Sequence, residues 1–184
     1  MKVTRTKLPG VLLIEPDVFG DDRGWFCETW SQLRYAEIGV PEPFVQDNVS
    51  MSAKGILRGL HLQHPWGQGK LVQVVYGSVY DVAVDVRVDS PTFGQWIDAT
   101  LSAEEHRQVW IPPGFAHGFC VTSETAVFSY KCTEAYHRET EIGVAWDDPD
   151  LAIPWPVQNP TLSAKDSAYP RLAQIAKDKL PTVG

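Results

Sequence analysis

Around His61 the chain alternates between apolar and polar positions. In LRGLHLQ (57–63) Leu60 and Leu62 face one way and His61 and Gln63 the other, the period of a strand with one buried face. The stretch KLVQVVYGSVYDVAVDVRV reads as two apolar-rich strands joined at Gly77-Ser78. Its second strand puts Tyr80, Val82, Val84, Val86 and Val88 on one face and Val79, Asp81, Ala83, Asp85 and Arg87 on the other. QWIDATL, RQVWIP, HGFCVTS, AVFSYKC and GVAWDD predict further strands. Helix is sparse: a short one over residues 30–38, a turn opened by the capping-box pattern Ser102-Ala103-Glu104-Glu105, and a C-terminal helix over 168–179. Fourteen glycines and 14 prolines punctuate these runs, and the whole predicts an all-β sandwich or jelly-roll barrel.

Composition narrows the class. At 184 residues, 43% hydrophobic and 21% charged, the chain predicts one globular domain over 1–184 with a well-buried core. A formal charge of -7 and a pI near 5.1 set the surface against phosphate backbones, so nucleic acid is not an expected partner. A few arginines converging in a cleft still suit a small anion. Cys27, Cys120 and Cys132 are odd in number and form no CxxC pair, which argues against a disulfide framework and a zinc site and fits a reducing cytoplasm. The apolar run from Val11 to Ile14 is too short for a signal-peptide core or a membrane span, so no membrane association is expected.

An inward imidazole at position 61 has three uses: metal ligand, general base, or hydrogen-bonded core histidine. Gly55 six residues before His61, and the P-x-G-x-x-H arrangement ending at His117, resemble the two sequence motifs of the cupin superfamily. The resemblance implies a cupin-like jelly-roll barrel with a few short helices. The metal set is nevertheless broken. Gln63 stands where a second histidine ligand belongs, and no glutamate follows in HPWGQGK. Gln is a poor transition-metal ligand, so no metal is expected. His64 alternates to the opposite face, as a loop or surface residue.

Without a metal, His61 beside Lys70 suits proton transfer, since imidazole titrates near neutrality and an ammonium stabilises an oxyanion. The segments VFGDDRGWFCETW, FVQDNVSMS, GILRGLHLQ, QGKLVQVVYGSVYDVAVDVR, SPTFGQW, WIPPGFAHGF, YKCTEAY, DDPDLAIPWP and LSAKD resemble, in order and across essentially the whole chain, the signatures of the dTDP-4-dehydrorhamnose 3,5-epimerases. The resemblance implies a dTDP-linked 4-keto-6-deoxyhexose as substrate, whose C3 and C5 hydrogens are acidified by the ketone. It implies no cofactor. It makes His61 the base, Asp166 the carboxylate orienting it, Lys70 the partner of O4, and Tyr130 the proton donor on the opposite face. It assigns substrate binding to Arg23, Glu28, Gln46, Asp47, Asn48, Arg58, His117, Glu141 and Lys165, with Tyr136 stacking on thymine.

Each residue has an ordinary structural use as well. Read singly, His61 is a satisfied core histidine, Asp166 a helix N-terminal charge, Tyr130 barrel packing, and Arg23 and Arg58 surface ion-pair partners. Ala135 and Arg138 depart from the family's pattern, which has a second aromatic and a proline there. Relatives inverting C3 or C5 alone, and a sugar-nucleotide-binding cupin without catalysis, stay open as alternatives. A homodimer is expected from the resemblance, with GVLLIEP as an exposed apolar pairing strand.

Overall fold

A computed structural model describes residues 1–40 and 43–183. Thirteen strands and one α-helix follow one another as β1 (Lys2–Arg5), β2 (Leu12–Glu15), β3 (Val18–Asp21), β4 (Gly24–Cys27), α1 (Gln32–Glu37), β5 (Gln46–Ala53), β6 (Leu57–Gln63), β7 (Lys70–Tyr76), β8 (Ser78–Asp85), β9 (Trp96–Ser102), β10 (Gln108–Ile111), β11 (Phe115–Val121), β12 (Thr125–Cys132) and β13 (Glu141–Gly143). A six-stranded sheet, β1-β2-β10-β7-β12-β5, faces a five-stranded sheet, β13-β6-β11-β8-β9, and β3 and β4 form a separate hairpin. This is the all-β barrel that the apolar patterning predicts, and the cupin-like one that the motif resemblance implies.

Between the sheets lie Val72, Val74, Val109, Ile111 and Phe128 from one and Val79, Ala83, Leu101, Phe115, Phe119 and Val121 from the other. The outer face of the five-stranded sheet is buried too. Leu60, Leu62, Val82, Val84, Val86 and Ala116 pack there under Val144, Leu151, Leu172 and Leu180 of the C-terminal segment. Burial on both faces is why β8 carries valines and alanine on successive positions from Val82 to Val84, its two carboxylates Asp81 and Asp85 being buried with partners. On the outer face of the six-stranded sheet α1 covers β2, β10 and the start of β7, where Tyr35 meets Leu12, Ile14, Leu71 and Trp110.

β7 and β8 meet at Gly77 but do not pair; they belong to different sheets. Gly77 has φ +75°, and a Cβ there would lie 2.1 Å from the Thr125 carbonyl oxygen, so the crossing between sheets requires glycine.

Three expectations change. The helix expected over 168–179 is instead a strap with three 3-10 turns, Asp166–Ala168, Leu172–Gln174 and Lys177–Lys179, each followed by an extended residue. Pro170 holds Tyr169 out of helical geometry, and tertiary bonds stretch the strap: Leu172 N–H donates to Asp148 Oδ2 (2.8 Å) and Val88 N–H to the Pro181 carbonyl (2.9 Å). GVAWDD is not a strand. β13 ends on the first residue of that stretch, Gly143, and after Val144 has exchanged two bonds with Leu60 (3.0 and 3.2 Å) the chain turns away. GVLLIEP is not an exposed edge: β2 is paired on both sides, by β1 and β10, and Val11, Leu12 and Ile14 are buried. The turn at Ser102 is present, Glu105 N–H donating to Ser102 Oγ at 3.3 Å. Among the described residues no helix is long and apolar enough to cross a membrane.

Candidate active site

A cavity of about 500 Å³ is lined from both sheets. Gln46, Asn48, Lys70 and Tyr130 reach it from β5, β7 and β12, and Arg58, His61, Gln63 and His117 from β6 and β11. Tyr136, Glu141, Lys165 and Asp166 close it from the loops and β13. Strand alternation predicts His61 and Gln63 on this side, but it would turn Arg58 away. The register of β6 against β11 shifts between His117 and Phe119, where Gly59 (φ +130°) crosses Gly118 so closely that a Cβ would lie 2.5 Å from the Gly118 Cα. That irregularity lets Arg58 share the cavity with His61, three residues on. Its Nε–H donates to Ser52 Oγ at 3.1 Å.

His61 Nε2 lies 2.6 Å from Asp166 Oδ1. Asp166 is 4% exposed, and its backbone N–H donates to Ser163 Oγ at 3.0 Å. Burial alone would raise this carboxyl; the hydrogen bond and charge of His61, with Ser163 and Lys165, outweigh it and hold the group below the usual carboxylate range. The carboxylate fixes the ring through one nitrogen and leaves the other for a proton.

Directly opposite His61 across the strands is His117, itself 2.8 Å from Asp81 Oδ2. Asp81 is fully buried on β8, and its second oxygen has no partner among the described residues. Two His–Asp pairs thus stand side by side. Lys70 opens β7, where burial pushes its ammonium down while Cys132, Glu141 and Asp81 pull it back up. Tyr130 comes from the facing sheet; burial, and the neighbouring Cys132, raise its phenol above the ordinary value. Imidazole and phenol therefore approach the cavity from opposite sheets.

Glu141 gathers the loops. Its Oε1 accepts from Lys165 Nζ (2.6 Å) and Tyr169 Oη (2.7 Å), and its Oε2 from Tyr136 Oη (2.9 Å). Burial works against its charge, but these three donors and His61 hold it down at about 2. The Tyr169 ring lies against Gly143, where a Cβ would come within 2.1 Å of it, and stands edge-on to His61 with centroids 5.6 Å apart. Gln63 is consumed by the loops: its Nε2 donates to the carbonyls of Trp66 (2.6 Å) and Ala135 (3.0 Å), and its Oε1 accepts from His137 N–H (2.8 Å). Among the described residues no three His, Cys, Asp or Glu side chains converge as a metal-ligand set.

Three residues named from the sequence lie outside this cavity. Arg23 sits on the tip of the β3–β4 hairpin, ion-paired to Asp21 with its side chain 89% exposed. Glu28 is held by Arg34, whose Nε donates to it at 2.7 Å. Asp47 alternates with Gln46 and Asn48 and turns to the other face of β5, where it meets Lys131 at 2.9 Å.

The sequence profile described as dTDP-4-dehydrorhamnose 3,5-epimerase matches residues 5–174. The chain belongs to the dTDP-4-dehydrorhamnose 3,5-epimerase family. A member from Shigella flexneri with that name is 55% identical over 90% of this chain and 93% of its own. The crystal structure of the Legionella pneumophila dTDP-6-deoxy-D-glucose-3,5-epimerase in complex with dTDP-4-keto-L-rhamnose superposes with a TM-score of 0.97 at 50% identity, covering 100% of this chain and 98% of that one. A Streptomyces niveus relative named dTDP-4-dehydrorhamnose 3-epimerase is 41% identical over 99% of this chain and 89% of its own.

Sequence reasoning overlooked Asp81 and Tyr169 in this epimerase-family site. Asp81 carries one signal, a carboxylate facing inward between Val79 and Ala83. Tyr169 carries none, because its place depends on the strap being extended rather than helical.

Proposed function

We propose that the protein epimerises dTDP-4-dehydro-6-deoxy-D-glucose at C3 and C5 to dTDP-4-dehydro-L-rhamnose. The observation that carries this reading is the opposition of His61 and Tyr130 across one cavity, with Asp166 behind the first and Lys70 between the sheets beside them. The His61 nitrogen not engaged by Asp166 takes the proton from the carbon next to the ketone. The electron pair moves onto O4, where the Lys70 ammonium stabilises the enolate. Tyr130 then delivers a proton to the opposite face of the same carbon; before the next round His61 gives its proton to solvent and the phenolate takes one back from solvent, so no net proton is consumed. A second round inverts the other centre.

His117, Arg58, Gln46 and Asn48 bind the sugar and diphosphate, and Tyr136, Glu141 and Lys165 the nucleoside end. Incubation with the 4-keto-6-deoxyglucose nucleotide in heavy water tests this. Deuterium at both C3 and C5 is expected; label at one carbon replaces this reading with the mono-epimerase, which the 41% identical 3-epimerase favours, and no label removes catalysis altogether.

The working form is a homodimer in the cytoplasm. In support, the β3–β4 hairpin holds Phe19, Trp25 and Phe26 at 63–67% exposure, and β5, an edge strand, exposes Val49 and Met51. Arg23 rides on the same hairpin and does not reach its own cavity. A second copy is therefore the route by which it, and Glu28 just beyond β4, would contact substrate. The three cysteines are all free thiols, in keeping with a reducing compartment.

A further inference from the structure

We propose that Trp66 and His137 are positioning residues that hold Tyr136 at the nucleoside end of the cavity; the proposal rests on the cavity being a dTDP-sugar site. Trp66 has φ +68°, a left-handed backbone that a bulky residue adopts only where its surroundings insist. Two contacts hold it there. Its carbonyl accepts from Gln63 Nε2 at 2.6 Å, and its indole stacks on the His137 imidazole with centroids 5.8 Å apart and planes 29° apart. The indole is 58% exposed, so core burial does not explain the placement.

The partner loop is held at three backbone groups around Tyr136. The carbonyl before it and the N–H after it bond to Gln63, and its own N–H donates to Gln46 Oε1 at 2.9 Å. Carboxylates of Glu134 and Glu139 flank His137 at 3.7 and 3.6 Å and keep its ring over the loop. The Tyr136 ring is half exposed, anchored at its far end by Glu141. Ala135 brings no ring of its own, and Arg138 lacks the stiffness of a proline. With neither neighbour to brace the loop, the stack across to Trp66 supplies the bracing from the other side. A base stacking on Tyr136 then meets a ring already oriented, and the ordering cost is not charged to binding.

The test uses the full chain and dTDP itself, with affinity measured by calorimetry and epimerisation by steady-state kinetics. Trp66→Ala is expected to weaken dTDP binding and raise KM about three- to tenfold, the range for losing one aromatic pair, with kcat within about twofold. His137→Ala should match it, and Trp66→Phe should restore most of the affinity. In a Tyr136→Ala background Trp66→Ala should cost nothing further, because it acts through Tyr136. Additive losses in the double variant, an unchanged dTDP affinity in both single variants, or a fall confined to kcat would each overturn the proposal. Failure of the unmutated protein to bind dTDP would instead remove the nucleotide-site reading beneath it.

Discussion

His61 Nε2 and Asp166 Oδ1 stand 2.6 Å apart although 105 residues separate them in the chain. In the proposed reaction the carboxylate would select the tautomer and stabilise the imidazolium that proton abstraction creates. Asp166→Asn preserves shape but removes the charge and presents an amide able to donate. We expect kcat to fall by roughly 10²–10⁴ with KM changed only a few-fold, as steady-state kinetics would record. A kcat within threefold of the parent would make Asp166 a structural residue.

Tyr130 faces His61 from the other sheet, so its loss should separate the two halves of the reaction. In Tyr130→Phe, deuterium from heavy water should still enter the substrate while net inversion is blocked, read together by NMR of recovered sugar. Loss of exchange and inversion in equal measure would deny that division of labour.

Glu141 titrates at about 2 in the folded protein, against 4.5 as its ordinary value. Between those values the unfolded chain binds the proton that the folded one refuses. The resulting stability is complete above about pH 4.5 and is lost as pH falls through about 2. Its size is on the order of 2–3 kcal/mol. Asp166, also held low, adds acid sensitivity of the same sign. Thermal melts of Glu141→Gln should therefore show a Tm lower by roughly 5–10 °C at pH 7 and a flatter decline below pH 4.5. An acid decline as steep as the parent's would assign it to other carboxylates.

The hairpin carrying Trp25 and Phe26, each about two-thirds exposed, is the expected contact between copies. Replacing both by glutamate puts two charges into a surface that would have to be desolvated. Sedimentation should show a dimer for the parent and a monomer for the double variant at micromolar concentration. A parent that is monomeric there ends the dimer reading.

Away from the cavity, Asp85 is a fully buried carboxylate that accepts from Arg87 Nε (2.9 Å), Arg87 Nη2 (2.6 Å), Ser90 Oγ (2.6 Å) and Thr92 Oγ1 (2.6 Å). These bonds outweigh its burial and hold it ionised. Asp85→Ala strands a mostly buried guanidinium, at a cost of about 3–5 kcal/mol. Denaturant melts should register that loss while kcat at 25 °C is retained; a loss below about 1 kcal/mol would mean that Arg87 finds water or Ser90 instead.

The sequence by itself determined the barrel and most of the cavity's membership. The period of two places His61 and Gln63 together on an inner face, because adjacent side chains on a strand must part, whereas Gln46 and Asn48 came from the family resemblance, and the strand that turns Asp47 away from them is seen only in the fold. The signatures around His61, Tyr130 and LSAKD carry the chemistry in their residue types. Tertiary structure decided what no local rule encodes. Arg58 joins His61 only through the register break at Gly59, and Asp81 becomes the partner of His117 only because β8 runs beside β11. The 168–179 segment has helix-compatible residues, yet Pro170 and bonds to Asp148 and Val88 stretch it over the outer sheet, which is what brings Tyr169 to Glu141. Alternation is a property of neighbours along the chain, whereas these contacts depend on which distant strands the core brings together, and that is settled only when both faces of a sheet are buried at once.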